Sequence, residues 1–403
     1  MGAAIAWLDT SPEEQRRVRE LIALFAQNES RDELGIGQIR DAFSNTLFPG
    51  TSVIQTRARY FLFVPWIYQD GMRHGHRGQQ LKAWADKQER RLIEALRDTG
   101  DVDGLIGRLA GPAVKVLPST IYWSGLIRYG ILARDTAPDQ LTVPVAGTEA
   151  DELAVRVAGD WNPTLPAAPA GFPGHGAVGL ELLPEEAVWL AEQITRTAGG
   201  TLFAHLLTAA PMPDPKSPAP WDDSACATAP VPIDGQLLHA RLFSLAMHGA
   251  ALLYNLLIGE RYEAAGHTRI SEPTADYCER LERWAQECAD ACHQLASWDR
   301  QDMWDLVLRA NPRVGLATRL FVDTWLDAVV AGPRVGIADH VELRALIAGR
   351  EQKQKKAQSR LANERLLRTW SGASGSAPLI FRWQQVRRIV TDIREGADRD
   401  AGS

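Results

Sequence analysis

Three residues spaced for chemistry stand on one stretch of this 403-residue sequence: Arg241, His248 and Asn255 recur every seven positions through the nearly apolar run 243–258, and Ser244 falls on the same stripe. Seven residues is close to two helical turns, so all four share a helical face. A polar line on an apolar helix must find partners on its neighbours. It therefore either lines a cleft or joins a buried network that fixes helix register. The first alternative makes Arg241, His248 and Asn255 the candidate catalytic residues of an enzyme acting on nucleic acid or nucleotides.

Arg241 and His248 also form an Arg-x6-His pair, which resembles the pair that helps a ribose hydroxyl attack in helical ribonucleases of the HEPN class. With 37 arginines and nine histidines in the chain, chance alone gives about 2.5 such pairs at four- to six-residue spacing. Three are present, so the pair names no reaction. A second cluster is Arg57 and Arg59, set immediately before the apolar YFLFV. A guanidinium there needs partners. The pair reads as an anion or phosphate site at a capped helix start, or as an internal clamp to Asp32, Glu33 and Asp41 of the preceding helix. Cys288 and Cys292 lie one turn apart with His293 adjacent, but a zinc site needs further ligands at definable spacing, and no metal or cofactor is expected.

The elements that must hold these residues read as helices. Ile36, Ile39, Phe43 and Leu47 share a face, Asp32 caps the start, and Pro49-Gly50 ends it. A second helix, capped by Thr51 or Ser52 and carrying Val53, Arg57, Tyr60, Phe61 and Val64, is expected to kink or stop at Pro65. Residues 141–145 and 152–157 alternate weakly and pair as a hairpin. Three helices before a hairpin is the order of a winged helix, whose 119–132 helix, with Tyr122, Trp123 and Arg128, would enter a groove. Segments 161–176 and 211–232 are rich in proline and read as linkers or surface strips.

The runs DELGIGQIRDAFSNTLFPGTS, QTRARYFLFVPWIY, LPSTIYWSGLIRYGIL and HARLFSLAMHGAALLYNLL, with 161–173 and 359–396, resemble a bacterial family known only as a domain of unknown function. The resemblance spans nearly the whole chain and implies a loose association with multi-gene loci for defence against phage. Other proteins of such a locus are the partners it implies.

Composition bounds the remainder. A chain with 45% hydrophobic residues can bury a large core. Four cysteines and no leader segment point to the cytoplasm, and His248 and Asn255 interrupt the one long apolar run, so no integral membrane insertion is expected. The net charge of −6 gives no global nucleic-acid signature. From 341 onward, however, 13 Lys and Arg stand against 7 Asp and Glu. A long polar helix to about Trp370, a flexible SGASGSAP break and a last helix from Leu379 carry them. Lys353, Lys355, Lys356, Arg360, Arg387 and Arg388 are the candidate contacts for duplex DNA or an acidic partner.

The reading is a mainly α, multi-subdomain protein with a small winged-helix-like hairpin. An N-terminal helical domain (1–135), a hairpin and linker (136–180), a central helical domain (181–340) and a basic end (341–403) divide it. It is expected to be a non-enzymatic defence component that binds DNA or a partner protein. The alternatives are the enzyme above and a peripheral membrane effector using 243–258.

Overall fold

The computed structural model describes residues 32–399 apart from 101, 134, 142–159, 175, 177, 178, 209, 210 and 332–335. Among these residues there are fifteen α-helices and no strand, so the protein is mainly α. In chain order they are α1 (Gly37–Leu47), α2 (Tyr60–Arg73), α3 (Gly78–Asp98), α4 (Pro118–Arg128), α5 (Pro184–Thr197), α6 (Leu202–Thr208) and α7 (Ser224–Ala227). Then follow α8 (Val231–Ala264), α9 (Pro273–Asp290), α10 (Cys292–Ala296), α11 (Arg300–Ala310), α12 (Leu316–Ala331), α13 (Val341–Lys355), α14 (Glu364–Arg368) and α15 (Trp383–Asp398). The hairpin expected at 141–157 lies, except for Leu141, outside the described residues.

Two compact units divide the chain, each discontinuous in sequence. The described part of the first comprises 48–217 and 382–399. The second comprises 32–47 and 218–381.

The first unit is built on α2. Every residue from Tyr60 to Tyr68 is buried, so this stretch of the helix has no solvent face. It runs through Pro65 to Arg73 rather than stopping there, and its neighbours bury it around the proline. Its start is later than expected: residues 56–58 do not join the helix, and their N–H groups bond side chains instead. Tyr122 Oη takes the N–H groups of Thr56 and Arg57 at 2.8 and 3.1 Å and donates to the Arg57 carbonyl. Tyr122 is thereby a core residue and not a groove-entering one. The proline-rich 161–173 stretch packs on the same helix: the Trp66 indole donates to the Pro166 carbonyl at 2.7 Å, and Phe172 stacks on Phe63. The helix α15 adds Trp383, Val386, Ile389, Val390 and Ile393 to this core, so it is an amphipathic core helix despite its arginines.

The second unit is organised around α8, the longest helix at 34 residues. By length and composition α8 could cross a membrane, but 78% of its most apolar stretch is buried inside the protein. The helix α9 packs along it, and the Trp284 indole donates to the Leu245 carbonyl at 2.7 Å. From α12, Trp325 does the same to the Ala246 carbonyl at 2.8 Å. From α1, whose first turn is capped by Asp32 through the Ile36 N–H at 2.6 Å, Phe43 meets Phe243. Tryptophans thus serve helix packing in both units.

One glycine on α8 is a close-approach site. A Cβ on Gly249 would sit 2.3 Å from the Trp284 ring. Gly→Ala in a helix interior ordinarily stabilises by about 1 kcal/mol. Here Gly249→Ala is expected to destabilise by about 1–3 kcal/mol through overpacking. A denaturant midpoint that rises in this variant would contradict the packing described.

Candidate functional site

The α8 stripe divides into two parts. Asn255 is fully buried, and its amide reads the backbone of Ser374 in both directions: Nδ2 donates to the Ser374 carbonyl at 2.9 Å, and Oδ1 accepts its N–H at 2.8 Å. His248 Nε2 meets the Ser376 carbonyl at 3.1 Å, and Tyr277 Oη donates to the Gly372 carbonyl at 2.7 Å. The expected flexible break at SGASGSAP is therefore an ordered strap held by side chains of α8 and α9. Its small residues let backbone, rather than side chains, approach the helices.

Arg241, Ser244 and His248 form the second part and line one cleft of about 620 Å³. Leu245 shares their helix. Trp221 and Asp222 come from the turn before α7, Glu287 and Asp290 from α9, and Pro378 and Ile380 from the strap. The register follows from packing. Trp284 bonds the Leu245 carbonyl, so Glu287 and Asp290, one and two turns further on, run alongside the Arg241 end of the cleft.

The chemistry of His248 is set by its partner. A carbonyl oxygen only accepts, so Nε2 carries the proton and Nδ1 presents a lone pair. Burial lowers the imidazole pKa to about 4; the Ser376 carbonyl opposes that shift and the Arg280 charge adds to it. His248 is therefore neutral at pH 7 and serves as an acceptor. In the opposite sense, burial raises the Asp222 carboxyl above its ordinary value, and the nearby Arg241 charge partly offsets it.

Arg57 and Arg59 sit in the first unit as two buried ion pairs. Arg57 Nε bonds both oxygens of Asp392 at 3.0 and 2.9 Å, and Asp392 also accepts the Ala58 N–H at 2.9 Å. Arg59 reaches Glu186 at 2.8 Å and the Gly179 carbonyl at 2.9 Å. Glu186 in turn caps α5 through the Leu183 N–H. The partners are thus Asp392 and Glu186 rather than the expected Asp32, Glu33 and Asp41. Burial raises the Asp392 carboxyl, against the attraction of Arg57, so desolvation outweighs the pairing.

The basic candidates are distributed over both units. Arg387 is bonded to the Ser217 carbonyl, and Arg388 pairs with Asp103 at 2.6 Å, which holds that carboxyl below its usual range. Both belong to α15. In the second unit Lys355 pairs with Glu33 at 3.2 Å, whereas Lys353 and Lys356 are exposed. The long helix expected to Trp370 ends at Lys355, because buried Glu351 turns the chain back on itself: its carboxylate accepts from Ser359 Oγ and from the Arg360 N–H. Arg360 and the exposed Arg365 and Arg368 follow that turn.

Among the described residues no three His, Cys, Asp or Glu side chains are grouped to hold a metal, and none of the four cysteines forms a disulfide. Sequence alone did not single out Trp221, Asp222, Glu287 and Asp290. The one available signal was a tryptophan followed by two aspartates inside a proline-rich strip. Glu287 and Asp290, on the polar face of an amphipathic helix, look like any solvated pair.

The chain belongs to a family of unknown function (DUF6361), whose model matches residues 2–398. No curated protein and no solved structure matches it.

Proposed function

We propose, with membership of an uncharacterised family as the premise, that this protein is a non-enzymatic, cytoplasmic component of a bacterial defence assembly that binds duplex DNA. One observation carries the reading. Lys353, Lys356, Arg365 and Arg368 are exposed, and none has a carboxylate in ion-pair range among the described residues. Between 352 and 370 six Lys and Arg face a single acid, Glu364. Exposed cations without internal partners are what phosphate contacts require.

The test is binding to labelled duplex DNA across a salt series, with a variant carrying Gln at these four positions. Each phosphate contact contributes about 0.9 to the slope of log affinity against log salt. Loss of four contacts is therefore expected to reduce the slope by roughly 3–4. Truncation before α15 is unsuitable, since that helix completes the first unit's core. Absence of salt-sensitive binding by the unaltered protein removes DNA as the ligand and leaves an acidic protein of the same locus as the next partner to test.

A second reading, the enzyme acting on nucleic acid or nucleotides, is favoured by Arg241 and neutral His248 opening on one cleft. Asn255, committed to Ser374, would support such a site by holding the strap.

A further inference from the structure

Three polar groups in the α8 cleft keep hydrogen-bonding capacity that no described residue takes up. Ser244 is only 1% exposed, yet its hydroxyl has no hydrogen-bond partner among the described residues. Arg241 is half-buried, with neither a hydrogen bond nor an ion pair among them. His248 Nδ1 keeps its lone pair, because the strap takes only Nε2. Groups on a cleft wall with capacity left over are available to pair with a ligand. The volume of about 620 Å³ suits a small molecule.

Charge narrows the ligand class. One guanidinium shares the cleft with three carboxylates, Asp222, Glu287 and Asp290. A polyphosphate would be repelled by those carboxylates more strongly than a single phosphate group. A purely cationic ligand would be repelled by Arg241 and leave it unpaired. The complement is a molecule with one anionic group for Arg241 and several hydroxyl or amino donors for the rest. A carboxylate accepts from a ribose diol in dinucleotide sites, and Asp222 and Glu287 supply that chemistry here. Trp221 presents a half-buried ring on which a base can stack. His248 Nδ1 can accept from an amino group on the base. Arg241 and His248 lie about 10 Å apart along the helix axis, which spans a phosphate and a base in one nucleotide.

We infer that this cleft binds a ribonucleoside 5′-monophosphate. The inference is independent of the DNA reading, since it uses none of the cations between Lys353 and Arg368, and either can fail alone.

Calorimetric titration of the full chain with AMP, GMP, CMP and UMP tests it, with ATP, the matching 2′-deoxy monophosphates and spermidine as comparisons. At least one ribonucleotide is expected to bind, with its triphosphate or deoxy counterpart weaker by roughly tenfold or more. Arg241→Met and Ser244→Val are each expected to weaken it by a similar factor while the ligand-free melting midpoint holds. Trp221→Ala, outside α8, gives the same reading should an α8 substitution disturb folding. No binding by any of the four at millimolar concentration, undiminished binding in both Arg241→Met and Trp221→Ala, or spermidine binding more tightly than every nucleotide would each overturn the site.

Discussion

Asp392→Ala is expected to destabilise the protein by about 3–5 kcal/mol, because it leaves the buried Arg57 guanidinium without its carboxylate. The Ala58 N–H loses its acceptor in the same step. The double variant Arg57→Met/Asp392→Leu is expected to recover most of that loss, since an apolar pair of similar volume carries no desolvation cost. Urea denaturation of Asp392→Ala, of the singles Arg57→Met and Asp392→Leu, and of the double variant measures the coupling. If the singles cost no more than an exposed ion pair, about 0–1 kcal/mol, then the pair is not the internal clamp described here.

The second large effect depends on pH. Glu89 is buried on α3, where Oε2 accepts the Ser119 N–H at 2.8 Å while Oε1 has no partner. Burial raises its pKa to about 7, against the pull of the Ser119 hydrogen bonds. Below pH 4.5 both folded and unfolded chains hold the proton, and the group is neutral to stability. Between 4.5 and 7 the unfolded chain ionises while the folded carboxyl stays protonated, so stability falls as pH rises. Above 7 the folded carboxylate ionises too, and the loss levels off at about 3 kcal/mol. Glu89→Gln is expected to abolish this term, so that the wild-type protein loses ground to the variant from pH 4.5 to 7.5. Denaturation curves at three pH values would show it; a difference that stays constant with pH rules it out.

How much of this could be read from the residues depends on sequence distance. The Asp32 cap, the α1 face and α8 with its stripe are local patterns, and periodicity alone exposed them. Arg57 and Arg59 were recognisable as cations needing partners, but Asp392 lies 335 residues away and no local rule points to it. The end of α13 was hidden for a related reason: the Gln- and Lys-rich sequence favours helix, and only the bonds from Glu351 to Ser359 and Arg360 reverse the chain. The strap at 371–378 has the composition of a flexible linker. Its order comes from side chains of α8 and α9 reading its backbone, which composition cannot register. Domain limits drawn along the sequence likewise cannot represent units assembled from separated segments.

The discontinuity of the first unit has a consequence for synthesis. Its core includes α15, and the clamp between Arg57 and Asp392 closes across 335 residues of chain. At about 5–20 residues per second, translation of that interval takes roughly 20–70 s. Throughout that time Arg57, buried in the finished protein, waits without the carboxylate that pairs with it. The second unit's main stretch is emitted within the same interval. The first unit's clamp thus closes only after α15 has been made.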